Sequence, residues 1–229
     1  MYRSFLLLIT LIVPVMQVTA QLQEKGLPYS FMVSDLKSTA ALPLLQLKNY
    51  DADRLIAEDV LHPVPFRYAL FEDTVIDVRA EGKTDRIAGK GNIWRIKIQS
   101  DQAKSMQIYF KRFVLPSGAQ VFLYNENQSV IRGAFTKKNM RPDSALMLAD
   151  FPGARMILEY FEPDNPEFSG EVVVGSVSQA YKDVMNELSG EPYVNINCPV
   201  GKDFQMEKHA VAKLTFMSDG GSYLCSGSL

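Results

Sequence analysis

Between residues 66 and 180 the chain alternates strand-length apolar stretches with turn signals, at intervals of roughly 8–12 residues, and this spacing restricts the fold more than any other feature. Trp94-Arg95-Ile96-Lys97-Ile98 puts three apolar side chains on one face and two cations on the other. Met106-Gln107-Ile108-Tyr109-Phe110 repeats the pattern. Leu115-Pro116-Ser117-Gly118 is a turn, with proline preset at its second position and glycine at its fourth. Val121-Phe122-Leu123-Tyr124 is the next strand, closed by Asn125-Glu126-Asn127. Phe151-Pro152-Gly153 then introduces Met156-Ile157-Leu158-Glu159-Tyr160-Phe161, which Pro163-Asp164-Asn165-Pro166 ends, and residues 171–177 form a further β-branched run. Short strands so spaced predict a mostly β chain, an antiparallel sandwich or barrel. Upstream, residues 26–60 are mixed, and residues 51–59 predict a short helix with an acidic start and a Leu55/Ile56 stripe, stopped by Pro63 and Pro65.

At 229 residues the chain accommodates one large or two smaller domains. Its 47% hydrophobic and 22% charged residues are those of a globular protein rather than a disordered one. A formal charge of −2 with no basic stripe argues against a nucleic-acid partner, which requires clustered Lys and Arg to displace counterions. The N-terminus has the layout of a secretory signal peptide over residues 1–20: Arg3, an apolar run from residue 5 to 16, and small residues Val18 and Ala20 before a cleavage point between Ala20 and Gln21. That run is too short for the roughly 20 residues of a spanning helix. No other segment approaches membrane length, so the expectation is a secreted protein, extracellular or periplasmic, with no membrane partner after cleavage.

Export puts Cys198 and Cys225 in a disulfide-permissive compartment. Residues 21–197 carry no cysteine, so a cysteine-free body and a cysteine-bearing tail suggest two folding units. Residues 179–190, polar and following a strand, are the best linker between them. In the tail, Val211-Ala212-Lys213-Leu214-Thr215-Phe216 alternates as a half-buried strand. A turn at Ser218-Asp219-Gly220-Gly221-Ser222 follows, and Tyr223-Leu224-Cys225 begins a second strand. Leu229 falls inside that strand, which leads to the expectation that the natural protein continues.

No complete catalytic constellation stands out. His62 precedes Pro63 in a loop and His209 precedes a strand beside Glu207 and Lys208; both suit ordinary histidines better than catalytic ones. Gly82-Lys83-Thr84 lacks the earlier glycine of a phosphate loop, since position 77 is Asp77, and strand-like sequence follows it. Asp164, Asn165 and Glu167 fit an acidic turn better than a calcium loop. Asn127-Gln128-Ser129 is either a glycosylation acceptor or a hairpin turn. Lys111-Arg112 has no basic neighbours and suits the solvated face of a strand. Glu159 and Glu171 take outward positions by alternation, and no Gly-x-Ser-x-Gly elbow occurs. Two thiols cannot make a four-cysteine zinc site, and no cofactor or metal is implied.

Three tail segments carry a resemblance: Asn195-Ile196-Asn197-Cys198-Pro199-Val200-Gly201, His209-Ala210-Val211-Ala212-Lys213-Leu214 and Leu224-Cys225-Ser226-Gly227-Ser228-Leu229. In this order they resemble the start of a secreted trypsin-like serine protease domain, closest to the bacterial lysyl endopeptidases. Ile93-Trp94-Arg95-Ile96-Lys97-Ile98, Ala103-Lys104-Ser105-Met106, Leu115-Pro116-Ser117-Gly118-Ala119 and Glu159-Tyr160-Phe161-Glu162-Pro163 resemble the pro-region of those precursors, so the likeness covers roughly residues 45–229. It implies a β-sandwich-like pro-region over residues 21–185 and the first strands of a trypsin-like β-barrel over residues 186–229. In that family the strand holding the equivalent of Cys225 leads to a Thr-Ala-x-His-Cys segment with the catalytic histidine, and its cysteine pairs with the one beside that histidine. Cys198 and Cys225 are then disulfide candidates whose usual partners, like all three catalytic residues, lie beyond Leu229. A cysteine that family members often carry shortly before the equivalent of Cys198 is missing from Glu191-Pro192-Tyr193. The complete enzyme would cleave protein or peptide substrates, after lysine by resemblance alone, and Lys182, the last lysine before Cys198, is a reasonable processing site. The alternatives are a secreted non-catalytic β-sandwich that binds protein or glycan, and a pro-region acting in trans as chaperone or inhibitor.

Overall fold

The computed structural model describes residues 24–184 and 198–228. The expected signal peptide, its Ala20/Gln21 cleavage point, residues 185–197 and Leu229 lie outside the described residues. In chain order the strands are β1 (Leu44–Gln46), β2 (Phe66–Asp77), β3 (Lys83–Ile87), β4 (Gly91–Gln99), β5 (Ser105–Val114), β6 (Gln120–Tyr124) and β7 (Ile131–Phe135). They continue with β8 (Leu146–Met147), β9 (Phe151–Pro152), β10 (Arg155–Pro163), β11 (Glu171–Ala180), β12 (Val211–Ser218) and β13 (Gly221–Ser228). Among the described residues four short α-helices accompany them: α1 (Tyr29–Met32), α2 (Ala52–Leu61), α3 (Val78–Glu81) and α4 (Gln205–Ala210). The chain is mostly β, as the turn spacing predicts, and forms two multi-strand sheets with no closed barrel among the described residues.

The first sheet runs β1-β4-β10-β6-β7, with β3 also on β4 and only β1 pairing in parallel. The second runs β12-β13-β2-β11-β5-β8, with β9 also on β5. Period-2 side chains from both sheets meet in the main core: Trp94, Ile96 and Ile98 of β4 and Met156, Leu158 and Tyr160 of β10 face Met106, Ile108 and Phe110 of β5 and Val172, Val174 and Val177 of β11. The register explains Lys111-Arg112. Arg112 opposes Val173 and Phe110 opposes Val174, so Lys111 is an extra bulge residue and both cations reach solvent, which strict alternation forbids. Gly175 opposite is required by closeness, because a Cβ there would lie 2.9 Å from the Lys111 Cβ. The turn before β6 is shifted by one residue from the expected frame. Ala119 N donates to Pro116 O, which places Gly118, at φ 82°, third rather than fourth.

A third layer corrects two expectations. Residues 29–42 cover the side of the first sheet turned away from the main core. Tyr29 stacks on Phe161 at 3.8 Å, Phe31 meets Tyr124 edge-on at 4.8 Å, and Leu42 packs with Phe122 and Ile157. Arg95 and Glu159 are on that side, as alternation predicts, but both are buried rather than solvent-facing. Glu171, by contrast, is exposed and paired with Arg112. The helix expected at residues 51–59 is α2, capped by the Asp51 carboxylate accepting from Arg54 N at 3.0 Å; of its stripe only Leu55 is buried.

The tail hairpin is real and it joins the body. Asp219 and Gly220, both at positive φ, make the two-residue turn that Asp-Gly favours, and β13 begins at Gly221, two residues earlier than expected. β13 then pairs with β2 from Gly221↔Leu70 to Leu224↔Phe66. The second sheet curls so far that Thr215 of β12 accepts from Gln107 Nε2 of β5 at 3.1 Å, although three strands separate them in the order. The expected linker begins inside β11, which runs through Ala180.

Candidate functional site

The residues of the strongest polar cluster come from α2, the start of β2 and the segment after β11. Leu55 turns inward on α2, and Asp59, four residues later, shares its face and is buried. Arg67, at the second position of β2, reaches back to the helix: Nε donates to Asp59 Oδ1 at 2.7 Å, and Nη2 donates to Glu58 Oε2 at 3.1 Å. Just beyond β11, Tyr181 donates its hydroxyl to Asp59 Oδ2 at 2.7 Å. Lys182 then places Nζ 2.6 Å from Asp59 Oδ2 and 2.9 Å from Arg67 O. The same ammonium lies 4.6 Å from the centre of the Phe66 ring and 5.6 Å from that of Tyr181.

Burial alone would raise Asp59, but hydrogen bonds from Lys182, Tyr181 and Arg67 outweigh it and hold the carboxyl below the ordinary aspartate range. Burial, reinforced by the Asp59 charge, pushes the Tyr181 hydroxyl well up. Two hollows flank the cluster. One of about 440 Å³ is lined by Glu58, Asp59, His62, Val64, Pro65, Arg67 and Tyr223. A smaller one of about 160 Å³, walled by Ile56, Val60, His62, Pro63 and Phe66, lies on the Lys182 side. Among the described residues neither wall contains serine, threonine or cysteine, and both Asp59 oxygens are engaged. The arrangement can hold a cation; it presents no nucleophile beside a free base.

Of the residues singled out from sequence, Lys182 and His62 come together here, His62 exposed at the end of α2. The others are elsewhere. Cys198 and Cys225 are exposed and unpaired, and His209 is exposed on α4. Asp164 pairs with Arg86 while Glu167 accepts from Ser117, so these two carboxylates do not converge. Asn127 Oδ1 accepts from Ser129 N at 3.2 Å within the β6–β7 turn. Gly82 ends α3 and Lys83-Thr84 opens β3.

Sequence reasoning passed over Asp59, Arg67 and Tyr181; the four-residue step from Leu55 was the available signal for the first. It also missed a second buried network. Glu159 accepts from Ser30 N at 3.3 Å and from the Tyr124 hydroxyl at 3.0 Å, while Arg95 Nη2 donates to Asp85 at 2.8 Å and Nη1 to Leu36 O at 2.5 Å. Burial is the main cause that raises Glu159 above the usual carboxylate range. With one buried guanidinium and one carboxylate already paired to it, that site balances charge when Glu159 keeps its proton. No protein-family model matches the chain.

Proposed function

We propose that this chain is the N-terminal portion of the precursor of a secreted trypsin-like serine endopeptidase. Residues 21–185 form its pro-region and residues 186–229 the opening of its protease domain, with peptide-bond hydrolysis after lysine in the complete protein. This portion contains none of the catalytic triad and has no activity of its own. The observation that carries the reading is the state of the β12–β13 hairpin. Val211, Leu214 and Phe216 of β12 are 61%, 49% and 43% exposed, and the outer edge of β12 has no strand beside it among the described residues. Apolar strand residues left open at an unpaired edge suit a barrel wall whose next strands cover it. Cys225, unpaired and just past the end of the β13–β2 ladder at Leu224, suits a partner on a strand that continues that side of β13.

Sequencing the coding DNA past the Leu229 codon tests this. A Thr-Ala-x-His-Cys segment within a few dozen codons is the expected result. A stop codon there in an intact gene would overturn it in favour of a non-catalytic β-sandwich.

A further inference from the structure

The geometry points to a lock on Lys182: Asp59, Phe66 and Tyr181 hold its side chain so that the Lys182–Asp183 bond is closed to proteolysis until the segment lifts off β2. The biological use of such a lock rests on the proposal that Lys182 is the processing site; the lock itself can be measured independently.

A protease takes its substrate as an extended strand, with the side chain before the cut in a pocket and the scissile carbonyl presented to donors. None of this is open around Lys182. Its side chain is 19% exposed and its ammonium is shared among Asp59 Oδ2, Arg67 O and two aromatic rings. The preceding Tyr181 and Val184, two residues further on, are buried, Val184 in a small core with Tyr68, Ala69 and Ala180. Both Tyr181 N and Lys182 N donate to Tyr68 O, at 3.1 and 3.2 Å. The scissile carbonyl, Lys182 O, accepts from Val184 N at 3.1 Å, which folds the backbone out of the extended form. Hydrolysis adds water across the bond, leaving a carboxylate on Lys182 and an amino terminus on Asp183, and it must await local opening. Its rate is then set by the fraction of molecules in which the lock is open.

The test is a time course of the 229-residue chain with a purified lysine-specific endopeptidase, fragments being counted by mass spectrometry. Lys48 and Lys138, 85% and 67% exposed, serve as internal references. In the wild type, cleavage after Lys182 follows cleavage after the references. Asp59→Asn speeds it about thirtyfold relative to Lys48, the amount expected when the hydrogen bonds to a buried carboxylate lose their charge, and Tyr181→Phe speeds it less. Cleavage after Lys182 as fast as after Lys48 in the wild type overturns the lock. So does an unchanged ratio in Asp59→Asn, or a rise at Lys48 equal to that at Lys182, which marks global unfolding. N-terminal sequencing of the mature protein bears on the processing site alone. A start away from Asp183 removes that role for Lys182, while the digestion ratio still decides the lock.

Discussion

Asp59 and Glu159 are both carboxylates withdrawn from solvent, and their neighbours push them in opposite directions. Three donors hold Asp59 below its ordinary value, so its contribution to stability is present above the unfolded pKa and is lost as pH falls through the folded one. Asp59→Asn is therefore expected to cost about 2 kcal/mol near neutral pH, the scale of hydrogen bonds to a charged group, with the difference fading in acid. Glu159 is raised, so what it contributes is present below the unfolded pKa and is lost as pH rises through the folded one. Glu159→Gln keeps the neutral form at every pH. Its urea midpoint should exceed that of the wild type in mild alkali and converge with it in acid; a lower midpoint at all pH values would refute this. The side of the strand that Glu159 and Arg95 occupy was legible from alternation. Its burial was not, because a period of two assigns faces and carries no record of what later covers them. The cover is Tyr29, Phe31 and Leu42, more than fifty residues away in the case of Arg95.

Local chemistry foretold the elements better than it foretold their partners. The helix at residues 51–59 and the hairpin turn at Asp219-Gly220 were readable because a cap and a positive-φ pair are written in adjacent residues. Gly220 sits at φ 77° with open space where a Cβ would be, so its requirement is conformational rather than steric. Gly220→Val should cost about 1–2 kcal/mol, confined to the hairpin. Hydrogen exchange would show faster exchange in β12 and β13 with β4 and β10 unchanged; uniform acceleration would count against a local effect. The pairing of β13 with β2 had no such signal. Phe66 and Leu224 are far apart in the chain and meet only through the sheet order. The same holds for the Lys182 lock, where Asp59 and Tyr181 are 122 positions apart. Sequence named the lysine, but only topology supplies what holds it.

The described residues form a two-sheet body with a third layer on one side and the tail hairpin curled against the other. Cys198 lies just before the helical turn at Pro199–Phe204 and Cys225 on the hairpin, both exposed. A thiol titration of the native chain should therefore count two reactive groups per molecule without denaturant; fewer would mean that they pair. The contacts between hairpin and body are of three kinds: the backbone ladder of β13 on β2, Leu224 packed on the small core of Tyr68, Ala69, Ala180 and Val184, and a polar seam. Ser178 meets Ser222 at 2.7 Å, Lys213 meets Asp150 at 2.9 Å, and Gln107 meets Thr215, while the three most exposed apolar residues of β12 take no part. Interfaces that must come apart are characteristically more polar than those that stay closed. The part of the seam made of hydroxyls, an amide and one ion pair is one that water can reoccupy on both sides. Parting the body from the hairpin therefore rewets the polar seam freely but leaves an apolar scar where Leu224 now covers Tyr68 and Ala69.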